Sequence, residues 1–307
     1  MSKLYIMIGL PGSGKDSVIK TIQKNGDVIL SSDEIRVELF GEEVQDKNGI
    51  VFDTMTKRCL NALRNNQTVY YNATNLSAKR RMTLIKEAKR YTDDINAIFC
   101  VVPTKVIFER NKNREERHIP EDKIFQMFKT MDIPMYYEGY KDIYIINTDN
   151  KNNNKETKSD ILSLGVDYDQ KSEYHNALLI DHLRLTAKMA FRYSHKIDLY
   201  IAGRFHDIGK PYVREWNEEK NKYTYYEHNR VSAYLYLLYY SCKKKAYKIK
   251  KISNRALKIS VLIYHHMDRF IANLDKTEYL LGEKTYGNLV DLMRADAFRK
   301  EDKNGRY

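Results

Sequence analysis

The feature that most constrains this chain is a glycine-rich turn at residues 9–15, which reads Gly-Leu-Pro-Gly-Ser-Gly-Lys. An apolar run at residues 4–8 precedes the turn, and a helix-compatible segment follows it. A strand that leads through glycines into a helix is the layout of a phosphate-binding P-loop, in which backbone N–H groups and the helix N-terminus surround an anion. The sequence therefore predicts a nucleoside triphosphate site, with Lys15 on the β- and γ-phosphates.

The residue after this lysine is unusual for the motif. Asp16 stands where Ser or Thr normally ligates Mg²⁺, and Ser17 follows one position later. A glycine-rich turn before an ordinary helix is the alternative, and the Walker A spacing disfavours it. We expect ATP or another NTP with Mg²⁺ here. The predicted nucleotide-binding residues are Gly9, Gly12, Ser13, Gly14, Lys15, Asp16 and Ser17.

Length and composition bound the rest of the protein. A chain of 307 residues exceeds one usual hydrophobic core, so two domains are expected. Cys59, Cys100 and Cys242 form neither a CxxC pair nor a metal-ligand spacing, which favours reduced thiols in the cytoplasm. No apolar run approaches the roughly 20 residues of a membrane span, and the P-loop comes too early for a signal peptide. These features predict a soluble, cytoplasmic protein.

The net charge of +12 is concentrated in the second half of the chain, since residues 151–307 hold about +10 of it. Clustered cations there would attract polyanions by counterion release, whereas a solvated helix face is an equally good interpretation. The clustered residues are Lys243, Lys244, Lys245, Lys248, Lys250, Lys251, Arg255 and Lys258.

Strand and helix signals alternate in the first half of the chain. The strand-like runs are residues 4–8, 27–31, 68–72, 95–102 and 143–146. This alternation predicts an α/β P-loop domain with a doubly wound parallel sheet and a site at the carboxyl ends of its strands. We expect this domain to cover residues 1–150, a polar linker to cover 151–160, and a second domain to cover 161–307.

Residues suited to phosphoryl transfer follow the predicted strands. Asp33 and Arg36 come just after the second strand, where a carboxylate can accept the proton of an attacking hydroxyl. A helix N-cap with a surface salt bridge is the alternative for this pair. Arg110 and Arg114 lie four residues apart, on one helix face, where they could clamp the transferring phosphoryl group.

The first 150 residues contain four motifs that can be compared with known kinases. They are the P-loop, Asp33-x-x-Arg36, Thr74-Asn75-Leu76 with Arg80-Arg81, and Arg110-x-x-x-Arg114 followed by Ile119-Pro120. Their order and spacing over residues 1–150 resemble the kinase domain of phage-type polynucleotide 5′-hydroxyl kinases. The resemblance implies Lys15 on the donor phosphates, Asp33 as general base, Arg36 on the 3′-phosphate of the acceptor, and Arg110 and Arg114 on the donor.

Two positions depart from that family. One is Asp16, and the other is Ala73, which stands where the phage enzymes have an Asp. Asn72 is the candidate stand-in for that Asp. The residues that the resemblance places at the substrate are Arg36, Asn72, Thr74 and Asn75.

Histidines gather in the second half, where the signals become helical. Imidazole and carboxylate groups from separate helices suit a divalent transition metal such as Mn, Ni, Co, Zn or Fe, which activates bound water. A lone histidine is more often structural, but the adjacent His206-Asp207 and its flanking set favour a metal centre. The candidate ligands are His182, His206, Asp207, His228, His266 and Asp296.

This order of ligands resembles the HD phosphohydrolase superfamily over residues 167–299, and Phe-His-Asp-Ile-Gly-Lys-Pro at 205–211 is similar to the HD domains of tRNA nucleotidyltransferases. The resemblance implies an all-α domain. It assigns the first metal to His182, His206, Asp207 and Asp296, and a second metal or the phosphate to His228 and His266. His265 competes with His266 for that role. Lys210 either contacts substrate phosphate or is a surface cation.

A kinase joined to an HD phosphoesterase is similar to bacterial end-healing fusions, although the domain order here is reversed. The pairing implies NTP-dependent phosphorylation of 5′-OH ends and metal-dependent removal of 2′,3′-cyclic or terminal 2′/3′ phosphates. RNA is expected over DNA as the nucleic-acid partner, with an RNA ligase as a candidate partner. Two alternatives stay open: a small-molecule nucleoside or metabolite kinase fused to an HD nucleotidase, and a non-catalytic, NTP-switched nucleic-acid-binding module.

Overall fold

The structure is a computed structural model that describes residues 2–41, 47–113, 118–149, 154–171, 177–242, 248–271 and 274–298. The chain divides into two compact units. The first unit contains Met1–Asn154 and Ser241–Ile252, and the second contains Lys155–Tyr240 and Ser253–Tyr307.

The first unit is an α/β domain. Its elements in chain order are β1 (Lys3–Ile8), α1 (Lys15–Ile22), β2 (Val28–Ser31), α2 (Ser32–Phe40), α3 (Asn48–Arg64), β3 (Thr68–Asn72), α4 (Ala78–Ala88), β4 (Ile95–Val101), α5 (Thr104–Lys112), α6 (Glu121–Thr130) and β5 (Asp142–Asn147). The sheet order is β2-β3-β1-β4-β5, and all these strands are parallel. Lys250–Lys251 adds a short antiparallel edge strand beside β5.

The sheet explains where the P-loop lies. Every residue of β4 is buried, as its unbroken apolar sequence predicts for a strand covered on both faces. Met7 of β1 packs with Ile98 of β4 and with Val18 and Ile19 of α1. Because β1 lies between β3 and β4, the loop that follows β1 lies beside the carboxyl ends of β3 and β4 at one edge of the sheet.

Beyond the first domain the chain is mainly helical. Its elements are α7 (Asn154–Ser163), α8 (Leu179–Ser194), α9 (Ile197–Phe205), α10 (Lys210–Val213), β6 (Glu215–Asn217), β7 (Lys222–Thr224), α11 (His228–Ser241), α12 (Asn254–His265), α13 (Asp268–Ile271), α14 (Leu274–Leu281) and α15 (Glu283–Asp296), while β8 (Lys250–Lys251) is the edge strand of the first unit. β6 and β7 form an antiparallel hairpin. The predicted fold class, an α/β domain with a parallel sheet followed by a helical domain, is confirmed.

Two glycines let the helices of the second unit approach closely. A Cβ on Gly203 of α9 would lie 2.8 Å from the Cα of Ala187 in α8. A Cβ on Gly209 would lie 2.6 Å from the backbone oxygen of His228 at the start of α11. Both distances are shorter than real carbon contacts, so a larger residue at either position would push these helices apart.

The boundary between the domains differs from the prediction. Most of the segment expected to be a polar linker is α7, in which Thr157 and Ile161 are buried four residues apart. Residues 151–153 lie outside the described ranges. Ser241–Ile252, expected in the second domain, belongs to the first unit, because Ile249 packs against the sheet core and Cys242 accepts a hydrogen bond from Asn147.

All three cysteines are buried, and none of them forms a disulfide. Within the described ranges, no helix combines the length and the apolar character that a membrane span needs.

Candidate active sites

The turn between β1 and α1 forms a phosphate-binding loop. Gly14 caps the N-terminus of α1 with φ at 77°, a left-handed conformation that favours glycine. The Lys15 ammonium donates hydrogen bonds of 3.1 Å to the backbone oxygens of Gly9 and Leu10, so its charge lies over the loop. A lysine folded over carbonyl groups can exchange them for phosphate oxygens. The loop therefore fits the phosphates of an NTP.

Arg110 supports this loop from α5. Its guanidinium donates to the backbone oxygen of Gly12 at 3.0 Å and to that of Thr148 at 2.5 Å. The Thr148 hydroxyl donates to the backbone oxygen of Ser13 at 2.9 Å. The predicted donor-side arginine thus lies at the P-loop and holds its backbone, whereas Arg114 lies outside the described residues.

Asp16 contacts the carboxyl end of β3. The side-chain amide of Asn72 donates to the Asp16 carboxylate at 2.6 Å. The Asn72 Oδ1 atom is buried and has no hydrogen-bond partner within the described part of the chain. Oxygen donors of these two kinds suit Mg²⁺, so the residues fit the ion that a P-loop kinase requires. Ser17 is exposed on the next position of α1.

Asp33 and Arg36 meet in the first turns of α2. The Ser31 hydroxyl caps this helix by accepting a hydrogen bond from the Glu34 amide at 3.4 Å. Arg36 donates to the Asp33 carboxylate at 3.1 Å and to the Asn48 side chain at 2.7 Å. The Asp33 side chain is 50% exposed, whereas that of Arg36 is only 4% exposed. The carboxylate is therefore accessible and oriented, and the arginine is already engaged within the domain.

Thr74 and Asn75 join the P-loop to the strands beside it. The backbone oxygen of Thr74 accepts from the Gly9 amide at 3.1 Å. The Asn75 side-chain amide donates to the backbone oxygens of Met7 at 2.7 Å and Tyr71 at 3.2 Å. The Asn75 amide thus ties β1 to β3, and its predicted contact with substrate stays a prediction.

Sequence reasoning missed the buried ion pair behind this turn. Arg81 makes two hydrogen bonds to the Glu138 carboxylate, at 2.8 and 2.6 Å, and also donates to the backbone oxygens of Asn75 and Ile133. Both charged side chains are at most 1% exposed. The partners lie 57 residues apart, and no local pattern indicates such a pair.

The second unit brings the predicted metal ligands together. The Nε2 atoms of His182 and His206 lie 3.1 Å apart. Asp296 Oδ1 is 3.1 Å from the first and 3.0 Å from the second. Asp207 Oδ2 completes this set, at 3.3 and 3.4 Å from the same two nitrogens. Two helices, α8 and α15, and the turn after α9 thus direct four donor atoms at one point.

A second set of donors shares Asp207 with the first. The Asp207 Oδ1 atom lies 2.9 Å from His228 Nε2 and 3.3 Å from His266 Nε2. These two nitrogens are 3.1 Å apart. Each oxygen of one carboxylate therefore faces its own set of imidazoles, an arrangement that suits two cations bridged by a carboxylate.

Backbone carbonyl groups orient three of the imidazoles. Each ring is bonded through Nδ1: His206 to Gly203 at 2.9 Å, His228 to Tyr225 at 2.6 Å, and His266 to Ile263 at 2.7 Å. A carbonyl oxygen only accepts, so Nδ1 carries the proton and Nε2 is left to bind a metal. Neutral imidazole together with carboxylate fits a divalent transition metal.

The buried charges shift the pKa values of these groups. Burial lowers the pKa of His266. Burial also opposes the protonation of His206, but Asp207 and Asp296 outweigh it and raise the pKa of His206 to about 10. Although burial acts in the opposite direction, His206 holds the pKa values of both carboxyl groups well below their usual range. His206 is therefore the group of this cluster whose proton a bound metal ion would displace.

The structure separates the roles of the two adjacent histidines. His265 Nδ1 lies 2.7 Å from the Asp268 carboxylate, which also accepts a hydrogen bond of 2.6 Å from the Thr277 hydroxyl. His266, in contrast, faces Asp207. His265 therefore stabilises the segment around α13, and His266 belongs to the metal-ligand cluster.

Two cations lie beside the cluster. Lys210 is buried, with its ammonium 2.6 Å from Asp207 Oδ2 and 2.8 Å from Gln170 Oε1, so it is not a surface cation. Arg269, which sequence reasoning missed, lies 3.4 Å from Asp296 Oδ2 and is partly exposed. An isolated arginine after a histidine pair has no distinguishing sequence signal. Both cations offset the negative charge of the ligand carboxylates.

The predicted basic cluster is only partly described, because residues 243–247 lie outside the described ranges. Lys251 pairs with Asp142 of the sheet. Arg255 lies 2.6 Å from the Asp198 carboxylate. These two cations have acidic partners, and the attraction of the cluster for polyanions stays a prediction.

Comparison with known families agrees with this architecture. Residues 4–134 match the family described as "AAA domain", and residues 179–300 match the family described as "HD domain". Fold and sites together define a kinase-like P-loop domain followed by an HD domain. These domain types imply ATP with Mg²⁺ in the first and a divalent metal in the second.

Individual kinases are similar to about half of this chain. L-seryl-tRNA(Sec) kinase of Methanococcus maripaludis is 27% identical over 184 residues, which cover 55% of this chain and 69% of the relative. A "putative kinase" from Chloroflexus aurantiacus is 19% identical with a TM-score of 0.37, over 49% of this chain and 90% of its own. A sugar kinase from Janibacter sp. HTCC2649 is 13% identical with a TM-score of 0.34, over 48% of this chain and 86% of its own.

Proposed function

We propose that this protein is a bifunctional enzyme that heals nucleic-acid ends. Its P-loop domain phosphorylates 5′-OH ends from an NTP, and its HD domain removes 2′,3′-cyclic or terminal 2′/3′ phosphates, with RNA as the substrate. The observation that carries the proposal is Asp207, which lies between two ligand sets in a chain that also carries a P-loop with its own oriented carboxylate, Asp33.

The kinase half contains the groups that phosphoryl transfer needs. Lys15 and the loop backbone hold the donor phosphates, and Arg110 keeps the loop in place. The acceptor oxygen forms a bond to the γ-phosphorus while the bond from that phosphorus to the β–γ bridging oxygen breaks. Asp33 takes the proton of the attacking hydroxyl, and the NDP leaves.

The HD half is suited to phosphate esters. Divalent ions held by the two ligand sets would supply an activated water near neutral pH. Asp207 orients both sets, and Lys210 fixes Asp207 through a 2.6 Å contact. Arg269, partly exposed beside Asp296, adds positive charge where a phosphate anion would be stabilised.

A nucleic-acid substrate accounts for both halves. Strand cleavage that leaves a 2′,3′-cyclic phosphate and a 5′-OH creates one substrate for each domain, and the healed ends are those that an RNA ligase would join. Support comes from the positive charge of the second half and from a relative whose name gives a tRNA-bound acceptor, L-seryl-tRNA(Sec).

One observation favours a second candidate. Arg36, assigned by resemblance to the 3′-phosphate of the acceptor, is buried and bonded to Asp33 and Asn48. A small acceptor without that phosphate would not need the arginine. The second candidate is therefore a nucleoside or metabolite kinase fused to an HD nucleotidase.

Transfer from labelled ATP separates these candidates. The purified protein is given a 5′-OH RNA oligonucleotide, the matching DNA, or free nucleosides, with Lys15→Ala as the control for contaminating kinases. Labelled oligonucleotide is the expected result. Label on nucleosides alone would support the small-molecule enzyme, and absence of both transfer and metal-dependent phosphate release would support a non-catalytic, NTP-switched module.

A further inference from the structure

The β6–β7 hairpin of the HD domain carries an exposed aromatic pair. Trp216 lies opposite Tyr223 in the antiparallel register, and their ring centres are 5.1 Å apart. Residues directly opposite each other share one face of a hairpin. Trp216 is 48% exposed, and it is the single tryptophan of the chain.

Cations lie among the rings on this face. Arg214 precedes Trp216 by two positions and therefore points to the same side of the strand. Its guanidinium is 5.1 Å from the ring centres of both Tyr168 and Tyr223, and the Lys171 ammonium is 5.9 Å from that of Tyr223. We name these five residues, Tyr168, Lys171, Arg214, Trp216 and Tyr223, the hairpin platform.

The acidic residues of the hairpin lie away from the platform. Glu215 pairs with Thr224, so both side chains lie on the opposite face. Glu218 and Glu219 occupy the turn between the strands. The platform itself therefore combines aromatic faces with positive charge, which is the chemistry that binds stacked bases and their phosphates.

Tyr225 joins the platform to the metal-ligand cluster. It follows Tyr223 by two residues, and its backbone oxygen is the partner of His228 Nδ1 at 2.6 Å. Its hydroxyl donates to the backbone oxygen of Gln170. The Gln170 side chain in turn accepts from Lys210 at 2.8 Å. The surface is thus continuous with the residues that hold Asp207.

We propose that the hairpin platform binds bases of a single-stranded polynucleotide whose phosphate end lies at the HD metal-ligand cluster. The inference rests on the proposed function for the reaction at that end. It adds the surface that would make the HD domain prefer a polynucleotide to a small phosphate ester. Positive charge and continuity with the cluster favour a polynucleotide as the occupant over an apolar protein segment.

Binding is tested first, without catalysis. Because Trp216 is the single tryptophan, its emission in the full-length protein reports on the platform directly. Oligouridine that ends in a 3′-hydroxyl is expected to quench this emission. A sugar–phosphate chain of the same length and charge but without bases is expected to quench it much less, because it cannot stack. Equal effects of the two chains, or no quenching by either, would overturn the proposal.

Steady-state kinetics provide the second test, with an oligonucleotide that ends in a 2′,3′-cyclic phosphate. Trp216→Ala should raise KM by about 5- to 150-fold, which corresponds to the loss of one base–aromatic stack. Trp216→Phe should restore most of the affinity. Tyr279→Ala removes a different aromatic ring, 87% exposed on α14, and should leave KM unchanged. A KM that is the same in Trp216→Ala and in the unaltered protein would contradict the platform.

The two proposals fail in different ways. If the protein releases the terminal phosphate of the oligonucleotide but Trp216 neither is quenched nor affects KM, the platform is refuted and end healing stands. If oligouridine quenches Trp216 through its bases but no end is healed, the platform stands and the proposed reaction is refuted.

Discussion

Asn72 donates a hydrogen bond of 2.6 Å to Asp16, and it does so from the last residue of β3 to the residue that follows the P-loop lysine. Asp16 is one of the two positions at which the sequence departs from the phage-type kinases, and Asn72, the candidate stand-in for the Asp of that family, directly precedes the other, Ala73. An amide can bond to the Asp16 carboxylate, whereas a second carboxylate would repel it. The contact pairs a carboxylate of the loop with an amide at the strand end.

Asp16→Ser tests whether Asp16 contributes to the binding of Mg²⁺. We expect phosphoryl transfer to persist, with the Mg²⁺ concentration for half-maximal rate shifted by about 10- to 100-fold, as for other groups that orient a metal. The measurement is the initial rate of 5′-labelling against Mg²⁺ and Mn²⁺ concentration. Ser17→Ala is the matched control on the next residue. An unchanged metal dependence in Asp16→Ser would place Asp16 outside the metal shell.

Asn72→Asp tests the coupling between the two positions. Alone, this change places two carboxylates at hydrogen-bond distance and should reduce both kinase activity and stability. The double variant with Asp16→Ser has a hydroxyl at position 16 and a single carboxylate at position 72. Its activity should therefore be higher than the product of the two single effects predicts. Additive effects in this double-mutant cycle would show that the contact has no energetic consequence.

Arg81→Leu should destabilise the kinase domain by about 3–5 kcal/mol, because it leaves the Glu138 carboxylate buried without its partner. Denaturant-induced unfolding measures the effect. The matched control is Arg58→Leu, which removes an equally bidentate arginine from Glu38 on the protein surface and should leave stability nearly unchanged. Equal losses in the two variants would contradict a structural role specific to Arg81.

His265 and His266 should respond differently to substitution. His266→Ala removes a ligand from the second set, so the content of bound metal and the release of phosphate should both fall. His265→Ala breaks the contact to Asp268 and should lower stability while the bound metal is retained. Elemental analysis of the purified proteins, together with unfolding curves, distinguishes the two. Metal loss from His265→Ala in a folded protein would reverse the assignment.

The sequence anticipates features that depend on local spacing. Apolar runs predict β1 to β5, and the longest of them is β4, a strand whose residues are all buried because the sheet is covered on both faces there. The residues of the P-loop follow one another in the sequence, and so do His206 and Asp207. Local spacing alone therefore indicates an anion-binding loop in the first case and a pair of metal ligands in the second. His182 and Asp296 lie far from this pair in sequence, and only the resemblance to the order of ligands in the HD superfamily indicates them. In the structure, α8 and α15 bring both residues to His206.

Features that depend on partners far along the chain could not be predicted. The sequence around Asn75 predicts a contact with substrate, whereas its hydrogen bonds to the backbone oxygens of Met7 and Tyr71 become visible only in the fold. The choice between His265 and His266 depends on which side of α12 faces Asp207, and neighbouring residues in sequence carry no such information. The strand at Lys250–Lys251 has two residues, too few to show any periodicity.

We propose that one chain carries two separate reactions, and single substitutions test this on an RNA strand with a 5′-OH and a 2′,3′-cyclic phosphate. Lys15→Ala and Asp33→Ala should reduce 5′-phosphorylation by about 10²- to 10³-fold or more and leave phosphate release intact. His206→Ala and Asp207→Ala should abolish phosphate release and leave 5′-phosphorylation intact. Loss of both reactions in any one of these variants, with an unchanged unfolding curve, would contradict two separate active sites.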